Sequence, residues 1–160
     1  MNASISSSSR QRPMSSAGFT LIELMVTIAV LAIIASIAAP NISTQLANQR
    51  VKSTTATLNN ALREAKVESV IRRRTMEISY DNNGTSAGTI KIEDDNSNLI
   101  ATYAYDARVT ISGDDTEFKP DKTAVETTYT ICDNNTSAAS GQVSVSKLAT
   151  INVKFGVASC

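Results

Sequence analysis

The sequence predicts an α+β protein: a long N-terminal helix, its first half membrane-spanning, packed on an antiparallel β-sandwich-like head. Three observations carry this. Residues 19–39 form an apolar run of bilayer length. Residues 41–74 contain neither Gly nor Pro and repeat apolar side chains near helical spacing. Residues 75–160 break into short alternating segments separated by turn residues.

The apolar run comes first. From Phe19 to Ala39 the chain reads FTLIELMVTIAVLAIIASIAA, 17 of 21 residues apolar, with Glu23 as the only charge. As a helix at ~1.5 Å per residue it covers roughly 30 Å, the thickness of a bilayer core. Arg10 and Arg12 precede it and no charge follows until Arg50. The positive-inside rule then places the N-terminus in the cytoplasm and the bulk of the chain outside it. A secretory signal peptide is the simpler alternative. The run exceeds the ~7–15 residues of such a segment, however. A carboxylate near its start costs at least ~2.5–3.5 kcal/mol in a membrane and calls for a partner.

Composition limits the chemistry. Fifteen Lys plus Arg balance fifteen Asp plus Glu, His and Trp are absent, and Cys occurs twice. Without His the commonest general acid–base group and metal ligand is missing. Two Cys alone do not complete a four-ligand zinc site. There is no glycine-rich phosphate loop, nucleophile elbow or pair of catalytic carboxylates, so no enzyme, cofactor or metal is expected. The acidic pairs Asp94-Asp95 and Asp114-Asp115 lack EF-hand spacing and read as solvated loop charge.

The segment Ala17-Gly18-Phe19-Thr20-Leu21-Ile22-Glu23 resembles the processing site of type IV prepilins and type II secretion pseudopilins. That resemblance implies a leader over residues 1–18, cleavage between Gly18 and Phe19 by a prepilin peptidase, and N-methylation of Phe19. It also implies a type IV pilin fold, with a membrane and filament-core helix over 19–39. Pro40 stands where the family has a helix-kinking proline. After cleavage, the Phe19 amine and the Glu23 carboxylate would neutralise one another between neighbouring subunits, setting axial register. Cleavage also leaves 13 basic against 15 acidic side chains, a slightly acidic chain.

Beyond Pro40 the helix is expected to continue as an amphipathic element over 40–74. Ile42, Leu46, Val51, Leu58, Leu62, Ala65 and Val70 would face a sheet. Arg72-Arg73-Arg74 closes it, where cations favour the helix dipole. The β-rich head follows over 75–160, with strands near 76–80, 89–93, 99–105, 108–111, 127–132, 142–146 and 150–155, and long loops at 113–126 and 133–141. The phrase Leu62-Arg63-Glu64-Ala65-Lys66-Val67-Glu68-Ser69-Val70-Ile71-Arg72-Arg73 and this element order resemble the GspH/FimT/FimU-type minor pilins and pseudopilins.

Cys132 ends a strand and Cys160 ends the chain; in an extracytoplasmic compartment a disulfide is the natural reading, two free thiols the alternative. The resemblance implies a minor pilin in a priming or tip complex that starts pilus assembly. Its partners would be the peptidase/methyltransferase, other minor pilins, the major pilin and the inner-membrane assembly platform. A pseudopilin of the type II secretion system is the alternative reading. A DNA-binding pilus subunit is a third, and would need Arg72, Arg73, Arg74, Lys147 and Lys154 on one face. The family's Gly-Arg C-terminal stretch reads Ser146-Lys147-Leu148-Ala149-Thr150 here, without Arg, which counts against it.

Overall fold

The computed structural model describes residues 18–158 and 160, and no side chain of residues 38–41. The leader up to residue 17, with Arg10 and Arg12, therefore lies outside the described residues, and so does the side chain of Pro40, where the kink is expected. One helix, α1, spans Leu21–Arg72, and eight strands follow: β1 (Met76–Asp81), β2 (Gly88–Asp94), β3 (Leu99–Tyr105), β4 (Val109–Ser112), β5 (Thr116–Phe118), β6 (Thr127–Asp133), β7 (Gly141–Val145) and β8 (Ile151–Phe155). The chain divides into two compact units, Met1–Ala38 and Ala39–Cys160.

In the first unit the helix starts at a cap. Thr20 precedes α1, its Oγ1 accepts the Glu23 N–H at 3.2 Å, and its carbonyl accepts the Leu24 N–H. This is the Thr-x-x-Glu arrangement that satisfies backbone donors no helical carbonyl can reach.

In the second unit the antiparallel strands form two four-stranded sheets, β3-β2-β1-β5 and β4-β6-β7-β8. Strand alternation decides their faces. Met76 and Ile78 of β1, Ile90 and Ile92 of β2, and Phe118 of β5 point inward from one sheet; Val109, Ile111, Tyr129, Ile131, Val143 and Val145 do so from the other. All join one core with Val51, Leu58, Ala61, Leu62 and Ala65 of α1. The buried helical stripe differs from the expected one. Ile42 and Leu46 are more than half exposed, Val70 is exposed too, and Ala47, Thr54, Thr55, Ala61 and Ser69 are buried instead. Small side chains there let the helix approach closely: a Cβ on Gly141 of β7 would lie 2.2 Å from Thr55 Oγ1.

Two further expectations are corrected. The long loop over 113–126 contains β5, which extends the first sheet by pairing Met76–Ile78 with Thr116–Phe118. Three residues with one apolar side chain are too short for a periodicity signal. The helix stops at Arg72: Arg73 adopts φ 54° and the Arg74 N–H bonds Ser69 O, a left-handed C-terminal cap.

Polar groups lock the layers. Asn82, just after β1, donates to Ile111 O at 2.7 Å and accepts from Ile111 N–H at 2.9 Å, tying the two sheets together as a strand would. Tyr105 donates to the same Asn82 oxygen, and burial pushes its phenol up to about 12. Arg50 of α1 grips Asp133 of β6 with two hydrogen bonds, 2.8 and 3.0 Å, and the Asp133 side chain is wholly buried. Burial alone would raise the Asp133 carboxyl; the Arg50 fork and the Asn135 N–H outweigh it and hold it low.

Removing Arg50 leaves a buried carboxylate without a counter-ion, so Arg50→Ala is expected to destabilise the head by about 3 kcal/mol in urea unfolding. Replacing both partners, as in Arg50→Met with Asp133→Leu, recovers most of that. A second expectation concerns acid. The Asn98 side chain and N–H, the Asn96 N–H and Arg74 hold Asp94 at about 2, below its ordinary 3.8. A depressed carboxylate stabilises the fold above its unfolded pKa, and this contribution is lost as the pH falls from 3.8 to about 2. Asp94→Asn should flatten that part of the acid-unfolding curve.

Candidate functional site

The first candidate surface is the start of α1. Every described side chain from 18 to 37 is exposed, including Phe19, Leu21, Ile22, Leu31 and Ile33. An apolar helical stretch exposed along its described length is stable only when lipid or other apolar helices cover it. Its hydroxyls are satisfied internally: Thr27 donates to Leu24 O at 2.8 Å and Ser36 to Ile33 O at 2.7 Å. Glu23 therefore stands out as the ionisable group of the segment, in the first turn at the positive end of the helix dipole. Gly18 and Phe19 are exposed and precede the helix, as a peptide bond offered to a peptidase must be. Thr20, which builds the cap that places Glu23, escaped the sequence reading, although Thr-x-x-Glu before an apolar run is its written signal.

The cations expected at the helix end are not brought together as one free patch. Arg72 is paired with Glu68 one turn earlier. Arg74 lies 3.2 Å from Asp94 and 3.5 Å from Asp95. Lys147 sits in the turn after β7, and Lys154 is exposed on β8 opposite Gln142. A different basic neighbourhood forms through backbone links: Ser69 Oγ reaches Lys119 O, Lys119 N–H bonds Thr123 O, and Ala124 N–H bonds Lys147 O. Lys66 donates to Ala149 O at 2.8 Å, and Lys66 and Lys122 flank the exposed Val67, Val70 and Ile71. Lys66 is far in sequence from Lys119 and Lys122, so only the tertiary fold could reveal the grouping.

Cys132 and Cys160 form a disulfide with Cα atoms 5.8 Å apart. Ile131 and Asp133 face inward, so Cys132 faces outward and the bridge lies on the outer face of its sheet. Gly156 N–H bonds Ser140 O, and Ser140 Oγ contacts both N–H and O of Ala158, so the tail is tied across the end of β7. Among the described residues no three His, Cys, Asp or Glu side chains are grouped to hold a metal.

Comparison with known proteins agrees with this anatomy. Residues 13–39 match the prokaryotic N-terminal methylation motif. The fold is similar to the type IV minor pilin FimU of Pseudomonas aeruginosa: 20% identity over 66% of this chain and 89% of that one, TM-score 0.55. It is also similar to the minor pseudopilin EpsH of the Vibrio cholerae type 2 secretion system: 6% identity over 68% of this chain and 99% of that one, TM-score 0.57. No curated protein sequence matches the chain. The likeness to both heads is one of fold, and residues 13–39 add the methylation motif to it.

The bridge makes its own prediction. It closes a loop between residues 28 apart, worth about 3–4 kcal/mol in the chain-entropy model. Reduction, or Cys160→Ser, should lower the unfolding midpoint accordingly. Mass spectrometry of the oxidised protein should find no free thiol.

Proposed function

We propose that this chain is a minor type IV pilin. A prepilin peptidase/methyltransferase would cut between Gly18 and Phe19 and methylate the Phe19 amine. The processed subunit would then sit in the bacterial inner membrane as a single span, N-terminus cytoplasmic and head periplasmic. From there it would join other minor pilins in the priming or tip complex that starts assembly of the major pilin on the inner-membrane platform.

The observation that carries this reading is an uncovered apolar helix bearing one carboxylate, set by a Thr20 cap in its first turn. In a low-dielectric filament core that carboxylate costs free energy until a cation meets it. The Phe19 amine of a neighbouring subunit supplies the cation and thereby sets the axial register. Assembly needs no catalytic group of this chain's own: the helix enters the core and the head contacts other heads.

A second reading is favoured by the likeness to EpsH: a minor pseudopilin of a type II secretion system, built and processed alike. Deletion in the native bacterium separates the two. Loss of surface pili and twitching with intact exoprotein secretion supports the pilin; the reverse supports the pseudopilin. In the same strain, Glu23→Ala should be cleaved normally, yet reduce assembled filaments by about tenfold or more, the order expected when a membrane-buried charge pair is lost. Normal assembly would remove the register role, and an uncleaved Gly18→Ala variant should remain unassembled.

A further inference from the structure

We propose that β8 is a docking edge that accepts an extended, acidic strand from another protein, lengthening the sheet β4-β6-β7-β8 by one strand. The inference is independent of whether the chain serves a pilus or a pseudopilus.

An edge strand offers unpaired backbone groups, and folded proteins usually guard such edges. Three of the four edges here are guarded. The open side of β4 is occupied by Asn82, which bonds both N–H and O of Ile111. The three-residue β5 is shielded by a bridge between Phe118 and Ala124 and by the Val125 N–H bonded to Glu117 O. The pairing of β3 with β2 is broken by a register shift, and its Tyr103 is tied to Glu64 of α1. Among the described residues β8 has no such device. Its register with β7 is regular over five pairs, Gly141↔Phe155 to Val145↔Ile151, and it contains no Pro.

The pairing also tells which groups are open. Ser146 N–H bonds Thr150 O and Gly156 N–H bonds Ser140 O. Antiparallel alternation then puts Thr150, Asn152, Lys154 and Gly156 in the bonded pairs and turns the N–H and C=O of Ile151, Val153 and Phe155 to the free edge. The side chains of these same residues lie on the face that Gly141, Val143 and Val145 present to α1. Yet Val153 is 39% and Phe155 46% exposed. At the Ile151 end, Arg63, Lys66 and Val67 of α1 face Ala149, Thr150 and Ile151 across a groove. The tail does not cover this edge, since it is tied to Ser140 and bridged to Cys132 on the outer face.

Charge selects the occupant. No Asp or Glu occurs between Asn134 and Cys160, whereas Lys147 and Lys154 do. Lys154 stands on the outer face of β8 opposite Gln142 and pairs with no carboxylate among the described residues. A strand with apolar residues alternating with carboxylates would lay the former beside Val153 and Phe155 and the latter beside Lys154. The chain's own first 18 residues hold no carboxylate, so they do not fit.

The test uses the full chain in detergent micelles, with a seven-residue peptide of alternating Val and Glu, its Val–Lys counterpart, and a short DNA duplex. The Val–Glu peptide should slow amide exchange at Ile151, Val153 and Phe155 by about tenfold or more, while Asn152 and Lys154, already bonded to β7, change little. Salt at about 1 M, where the Debye length is about 3 Å, should weaken it. Lys154→Glu should weaken it about tenfold. Val153→Pro removes only an outward N–H and should abolish the protection while the Cys132–Cys160 bridge is kept. Equal binding of the Val–Lys peptide, or no protection at those three amides, overturns the proposal. So does displacement of the peptide by DNA, which assigns the lysines to nucleic acid. Protection that grows with protein concentration without peptide overturns it too, because the occupant is then a second copy.

Discussion

A single helix whose apolar side chains must be covered by two different surroundings governs this structure. Between Ala47 and Ser69 the cover is the head, which buries a stripe of small and medium side chains under both sheets. Between Leu21 and Ile37 every described side chain is exposed. Apolar area left in water costs about 25 cal/mol per Å², so that stretch is stable only in lipid or against other apolar helices. The Thr20 cap and the internally bonded Thr27 and Ser36 satisfy polar groups along this stretch and leave Glu23 as its one charge.

The head meets the helix through several polar anchors, the buried Arg50–Asp133 pair foremost. Arg50 binds Asp133 at one point of α1, Lys66 binds the Ala149 carbonyl further along, and Ser69 reaches Lys119 near the end. Between them Val51, Leu58, Ala61, Leu62 and Ala65 make the contact, and Gly141 leaves room for Thr55. Asn82 does for the two sheets what Arg50 does for helix and sheet, replacing missing strand hydrogen bonds with side-chain ones. The Tyr129 ring is fully buried, edge-on to Tyr80 at 6.1 Å. Burial and the nearby Asp115 push its phenol upward, so it stays neutral.

The cations illustrate why a charge count says little about partners. Arg72 and Arg74 looked available in the sequence because the carboxylates that neutralise them are a helical turn or a strand away. Conversely, Lys66 and Lys122, far apart in sequence, line one hollow with Val67, Val70 and Ile71. The acid-free stretch after Asp133 becomes meaningful only when β8 is seen to be an outer strand.

By itself the sequence determined what depends on period and order. The apolar run, the Gly-free helix and strands such as Leu99–Tyr105 were legible because hydrophobic spacing is a local property. So was the motif over 13–39, a contiguous string of side chains. The tertiary structure decided what depends on rotation and distance. One residue of helical drift, about 100°, exchanges Leu46 for Ala47 in the core. Three residues at 116–118 become a strand only because β1 lies beside them. Which edge of which sheet stays open depends on pairings between segments tens of residues apart, and no local pattern records them.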